Sequence, residues 1–336
     1  MLPKVKIAAK TDKGLVRPGN EDYLHVDMDH RVFAVFDGMG GHQAGEVASM
    51  TAAQTVQRAF GEFSPELAEN PGLDLGRTLP PSGDLLLKSI RLANRMIHNR
   101  ALEETELSGM GTTVVATALE ADIMSVAHVG DSRAYRLGAH QLEPLTKDHS
   151  WLVEVQEAQQ MSEEEASSFV SKNVITRALG VRDTVEVDYR VVKITAGDIF
   201  VLCSDGLCGF ADDDDIFAVA RKSRDDIDRM AADLVQMAND RGGSDNVTIV
   251  VIQVDQVQES QLPELDVLTL EAEPAATLTE EDIWVTRFAE LDAEEAEQQD
   301  PPSQPTQKKT NPLVIILLLV VFAVVFWLIY RYSGVA

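Results

Sequence analysis

Apolar residues fall along this chain in two rhythms. Short runs rich in Val and Ile, bounded by Gly, Asp or Asn, recur at Val32–Phe36, Thr112–Leu119, Ile123–Val129, Ala134–Leu137, Ile199–Cys203 and Val247–Val254. Their length and β-branched content predict strands. Glu120-Ala121-Asp122 joins the second run to the third, and Gly130-Asp131-Ser132-Arg133 joins the third to the fourth. Links this tight exclude parallel crossovers and predict antiparallel sheets. The second rhythm is helical. Leu86, Ile90, Ala93 and Ile97 form one stripe within Asp84–Leu102, and Ile227, Met230, Leu234 and Met237 form another within Asp225–Asn239. Ala44–Phe60 is rich in Ala and reads as a third helix, while Gly61–Gly83, with its Gly and Pro residues, reads as a loop. Strands and separate helices in one chain predict an α+β domain over residues 1–254.

Past residue 254 the alternation stops. Residues 255–307 carry 15 Asp or Glu and a single basic residue, Arg287, and run into Pro301-Pro302-Ser303-Gln304-Pro305. So acidic a stretch buries too little apolar surface to offset chain entropy, so 255–311 reads as a mostly disordered linker. Within it, Thr279-Glu280-Glu281-Asp282 is placed to cap a short helix bearing Ile283, Trp284, Phe288 and Leu291, which reads either as a residual hydrophobic cluster in a tail or as a docking helix. Leu313–Tyr330 is then 18 residues without a charge, Gly or Pro. At 1.5 Å per residue it spans about 27 Å, near the thickness of a hydrocarbon core. With Trp327, Tyr330 and Tyr332 at one end, it predicts one C-terminal transmembrane helix over 312–331 and a short tail, 332–336. Lys308 and Lys309 precede the span and a lone Arg331 follows it, which puts residues 1–254 on the cytoplasmic side of a cell membrane. Met1–Ile7 lacks an apolar h-region, so no signal peptide is expected.

Charge and cysteines narrow the function further. A formal net charge of -26 excludes a nucleic-acid partner, because phosphate backbones demand basic patches. The two cysteines, Cys203 and Cys208, form no disulfide framework; they suit a reducing compartment and a structural, buried role. There is no Gly-x-Ser-x-Gly elbow and no His-x-x-x-His pair, so neither a serine nucleophile nor a zincin site is supported. His128, inside an apolar run, reads as a core residue.

What the chain does hold is carboxylates at the ends of apolar runs. Val35-Phe36-Asp37-Gly38-Met39-Gly40-Gly41-His42 ends a strand on Asp37 and turns at once through glycines. There the backbone can approach a ligand, and the Gly38 carbonyl can itself hold a metal. Cys203-Ser204-Asp205-Gly206 repeats this grammar, and Gly242-Gly243-Ser244-Asp245-Asn246 sits just before the last strand. Arg17-Pro18-Gly19-Asn20-Glu21-Asp22 sets a phosphate-matching guanidinium beside paired carboxylates. Like charges a few ångströms apart repel by roughly 4 kcal/mol per pair near a protein surface. Cations between the carboxylates would relieve that repulsion, and two hard divalent ions are what phosphate-ester hydrolysis needs.

In order, the blocks RPGNED, VFDGMGGHQAGEVAS, GMGTT, HVGDSRAYRL, LTKDHS, ITRALG, VLCSDGL and GGSDNVT resemble the bacterial form of the protein phosphatase 2C family, across roughly Lys6 to Val254. The resemblance implies two packed antiparallel β-sheets flanked by antiparallel helix pairs. It implies a protein-serine/threonine phosphatase, in which a hydroxide bridging two Mn²⁺ or Mg²⁺ ions attacks phosphorus directly. Asp37 would bridge the metals, Asp205 and Asp245 would complete one and the Gly38 carbonyl would bind the other, with Glu21 and Asp22 near them directly or through water. Arg17 would hold the substrate phosphate, and Asp131 would bind a third, weaker metal. Residues 151–173 match the family's flap; Met161–Glu165 resembles its acidic helix, whereas Phe169–Lys172 departs from the bacterial pattern. Met39 stands where eukaryotic members carry a histidine, which leaves His42 or a metal-bound water to protonate the leaving group. The implied substrates are phosphorylated proteins made by a Ser/Thr kinase. The alternative reading is a membrane-tethered module that keeps the fold without the activity.

Overall fold

Alternation within single strands decides the layering. In β3 (Val32–Met39), Phe33 and Val35 point one way into one apolar cluster, while Val32, Ala34 and Phe36 point the other way into a second. β11 (Val247–Gln256) does the same: Val250, Ile252 and Val254 share the first cluster with Phe33 and Val35, and Val247, Ile249 and Val251 enter a third. A strand has a side-chain period of two, so each carries two buried faces only when layers cover both sides. The computed structural model, which describes residues 2–41, 44–62, 79–159, 174–260 and 265–270, shows those layers.

One sheet runs β1 (Lys4–Asp12), β11, β10 (Ile199–Cys203), β7 (Arg133–Leu137) and β8 (Leu142–Pro144). The other runs β12 (Leu265–Leu270), β9 (Val187–Lys193), β6 (Ile123–Val129), β5 (Val114–Glu120), β3 and β2 (Asp22–Asp27), with the short β4 (Gly111–Thr112) paired to β3. Every pairing is antiparallel. The shared cluster, with Phe33, Val126, Phe200, Leu202 and Ile252, lies between the sheets. α1 (Ala44–Glu62) and α2 (Pro81–Glu103) cover the outer face of the second sheet. α3 (Trp151–Gln159) follows β8, while α4 (Asp213–Lys222) and α5 (Ile227–Asp240) cover the first sheet. This is the α+β arrangement of two packed antiparallel sheets with helices.

Local chemistry explains the helix ends. Asp212 and Asp226 cap α4 and α5 by accepting from the Asp215 and Arg229 amides, and α4 places acidic residues in its first turn and Arg221 and Lys222 in its last. The predicted stripe Leu86, Ile90, Ala93 and Ile97 is fully buried. α2 begins three residues before the predicted start, inside the expected loop, because Pro81 suits a first helical turn. Gly83 packs so closely on the Tyr189 and Ser125 hydroxyls that a Cβ would strike both.

Both sheets reach past residue 254. β11 continues to Gln256, and Leu265–Leu270 pairs with β9 inside the stretch read as linker, where interleaved acidic residues mask its apolar positions. Among the described residues no helix is long and apolar enough to cross a membrane. Leu313–Tyr330, the docking-helix residues, His42 and the flap residues 160–173 lie outside the described residues.

Candidate active site

The strand–Asp–Gly junctions meet at one end of the two sheets. A cavity of about 260 Å³ is lined by Arg17, Glu21, Asp37, Gly38, Met39, Gly40, Thr113, Asp131, Ile175, Asp205, Asp245 and Asn246. Seven of the nine residues singled out from the sequence therefore line one pocket. Asp22, an eighth, is buried just outside that lining: it pairs with Asp37 in the β2–β3 register and accepts from the Ser204 hydroxyl at 2.8 Å. The ninth, His42, is not described.

The glycines explain how the loops come so near. A Cβ on Gly38 would strike the Gly45 and Glu21 carbonyls, and one on Gly206 would strike the Asn246 carbonyl. Gly38 N–H donates to the Glu21 carbonyl at 3.1 Å, which locks the Arg17–Asp22 loop to the end of β3. Asn246 is the residue that sequence reasoning missed. Its amide oxygen accepts from Glu21 N at 2.8 Å, and its amide nitrogen donates to the Lys13 and Gly19 carbonyls, both at 2.9 Å. One buried side chain thus joins the first and last carboxylate loops. Its adjacency to Asp245 in GGSDNVT was the available signal.

Crowding shows in the acidities. Burial first, then the Asp22 and Asp205 charges, push the Asp37 carboxyl well above its ordinary range. Asp205 is raised chiefly by burial, with the Asp245 charge adding to it. Burial raises Asp22 to about 7. Burial, followed by the Asp205 and Asp148 charges, raises Asp131 to about 7. Glu21 is raised by burial too. Oxygen-only donors that resist ionising together are what hard divalent cations satisfy, so this residue set fits such ions. At the rim, exposed Arg17 donates to the Asp245 carboxylate at 2.8 Å and to the Ser244 carbonyl at 3.4 Å. Cys203 is buried in β10 and Cys208 is half-buried; both are free thiols.

Known proteins are similar to this chain over the same stretch. The family described as protein phosphatase 2C matches residues 17–248. The serine/threonine phosphatase stp of Listeria monocytogenes is 36% identical over 255 residues, which cover 75% of this chain and 97% of that protein. The serine/threonine protein phosphatase PstP of Mycobacterium tuberculosis is 35% identical over 253 residues, 74% of this chain and 45% of that one. The crystal structure of M. tuberculosis PstP/Ppp superposes with a TM-score of 0.65 at 32% identity, over 75% of this chain and 99% of that chain. The catalytic domain of PstP, solved in complex with 2 manganese ions, gives 0.63 at 32% over the same shares. Since the match spans every loop that lines the pocket, from Arg17 to Asn246, the chain belongs to the protein phosphatase 2C family.

Proposed function

We propose that this enzyme hydrolyses phosphoserine and phosphothreonine in proteins, using two Mn²⁺ or Mg²⁺ ions held by the carboxylate cluster. The observation that carries the reading is that Asp37, Asp205, Asp245, Glu21 and Asp131 share one cavity with Arg17 at its rim. Asp37, Asp205, Asp245 and the Gly38 carbonyl would hold the two ions, with Glu21 and Asp22 close by and Asp131 serving a third, weaker one. Two such ions supply activated water and neutralisation of the phosphoryl oxygens.

The chain's own groups do the rest. Arg17 offers a planar fork that matches two phosphate oxygens, and half of its side chain is open to an arriving substrate. Gly38 and Gly40 present backbone without side chains, so a bulky phosphoester can approach the carboxylates. The leaving alkoxide needs a proton, which His42 or a water would deliver. Manganese in the similar PstP catalytic domain supports the metal reading. An inactive, tethered module is not favoured, because no member of the set Arg17, Asp37, Asp205 and Asp245 is missing. Phosphate release from phosphothreonine peptides should require Mn²⁺ or Mg²⁺ and stop in EDTA. Full turnover in EDTA would overturn the reading.

We further propose that Leu313–Tyr330 tethers the enzyme to a membrane with its catalytic domain in the cytoplasm, where products of a Ser/Thr kinase would be its substrates. Support comes from the uncharged 18-residue span and the two lysines before it. Deleting Asn311–Ala336 should move the protein from the membrane to the soluble fraction with peptide activity intact. A deletion that stays in the membrane fraction would sink the tether. Protease added outside intact spheroplasts should leave the domain uncut, and its digestion there would reverse the proposed orientation.

A further inference from the structure

The turn that carries Asp131 has little of its own to fix it. Gly130 adopts φ +106, and a Cβ there would collide with Thr113, so the turn begins on a residue without a side chain. Its position comes from partners. Thr113 and Ser132 share a hydroxyl hydrogen bond of 2.7 Å. Two neighbouring residues of the Lys147-Asp148-His149-Ser150 segment then grip it from both ends. Asp148 takes Arg133 in a two-pronged pair, at 2.7 and 2.6 Å. His149 takes Gly130 twice: its backbone N–H donates to the Gly130 carbonyl at 2.9 Å, and its ring Nδ1 faces the Gly130 N–H at 3.1 Å.

That second bond fixes the ring. Nδ1 must accept, so the proton sits on Nε2, which faces the Asp188 carboxylate at 3.3 Å, with Arg177 Nη1 also 3.3 Å from it. The other Asp188 oxygen accepts from Arg177 at 2.9 Å. His128 stacks on His149 with centroids 4.6 Å apart, and its Nε2 donates to the Lys147 carbonyl at 2.8 Å. His128, His149 and Asp188 bring ligand atoms within 4.8 Å of one another. Arg177 already binds Asp188 and the Gly130 amide already occupies Nδ1, so the cluster orders hydrogen bonds. His149 is buried and none of these side chains lines the catalytic cavity.

We propose that His149 is a positioning residue: through Gly130 it holds the Asp131 carboxylate where it can serve a metal ion, and Asp188, itself held by Arg177, keeps His149 in the tautomer this needs. The inference rests on the metal reading of Asp131 given above. The test is Mn²⁺ affinity of the full chain, by calorimetric titration and by the Mn²⁺ dependence of phosphate release. His149→Leu keeps volume and loses the acceptor, whereas His149→Asn puts an amide oxygen where Nδ1 lies. The Leu variant should weaken the Asp131-dependent site about tenfold, as lost support behind a ligand typically does. The Asn variant should stay within about twofold of wild type, and Leu should add less than about twofold in an Asp131→Ala background. Equal losses for Leu and Asn, no loss for Leu, or an undiminished Leu effect without Asp131 would each overturn the proposal. Should His149→Leu fail to fold, Asp188→Asn reports instead: an Asp131-dependent loss supports the proposal and wild-type affinity overturns it. Failure of the underlying reading looks different. Asp131→Ala would then bind Mn²⁺ like wild type, and the inference would fall with it.

Discussion

Asp37→Asn and Asp245→Asn should each lower kcat at least about 10³-fold with Mn²⁺ present, a loss of roughly 4 kcal/mol in transition-state stabilisation. Asparagine keeps the shape and one oxygen of each side chain. At 245 that oxygen can still accept from the Asn246 amide, as Oδ1 does now at 2.9 Å. At 37 the contacts that place the residue, Asp37 N–H to the Thr113 hydroxyl at 3.2 Å and Thr113 N–H to the Asp37 carbonyl at 2.9 Å, are backbone ones and stay. Neither substitution should disturb folding, so a loss of turnover reports on charge and ligation. Charge is what the pocket is built around, because burial and the neighbouring Asp22 and Asp205 charges already make the Asp37 carboxyl a reluctant anion. A variant with normal circular dichroism that retains more than about a tenth of wild-type kcat would lose under ~1.4 kcal/mol, and its assignment as a ligand would be wrong.

The reach of sequence reasoning follows from where the signals lie. Ile123–Val129 and Ile199–Cys203 are apolar on both faces, and both match their strands from end to end. β1, β2 and β9 escaped notice because polar residues occupy half their positions: Lys4, Lys6 and Lys10 face solvent along the sheet edge, and Asp188 in β9 serves His149 and Arg177. α4 buries only Ile216 and Ala220, too few for a stripe. At the site, the aspartates stand out because each sits within two residues of one end of an apolar run, so Asp37, Asp205 and Asp245 are legible singly. Their convergence was not. It depends on the antiparallel register that puts Asp22 opposite Asp37 and on Asn246 reaching a loop 227 residues away in sequence. The grip of His149 on Gly130 likewise crosses from one block to another and leaves no mark within either.

Removing a carboxylate from this cluster should stabilise the metal-free protein, and Asp131→Asn shows it best. In the folded chain burial, then Asp205 and Asp148, raise the Asp131 pKa to about 7; an unfolded aspartate sits near 3.9. A group raised on folding contributes stability that is fully present below the unfolded value and is lost as pH climbs through the folded one. Wild type in chelator therefore gives up stability between about pH 4 and pH 7 that the neutral asparagine variant keeps. Three pH units at ~1.36 kcal/mol set an upper limit near 4 kcal/mol, and relaxation around an open pocket should leave roughly 1–3 kcal/mol. His128, lowered to about 4 chiefly by burial, pulls stability the other way between about pH 4 and its ordinary value, and Asp22, raised to about 7, acts like Asp131. Both are present in either protein, so both cancel in the difference. The melting temperatures should nearly coincide at pH 4 to 5 and separate by roughly 3–10 °C at pH 8, with the variant higher. Saturating Mn²⁺ should narrow that gap at pH 8, because ions that bind the native carboxylates stabilise wild type by mass action. A gap that is constant across this pH range, or a variant that melts below wild type at pH 8 in chelator, would show that Asp131 does not carry the strain assigned to it. The observed order would mean that the fold gives up metal-free stability to hold carboxylates where cations are needed.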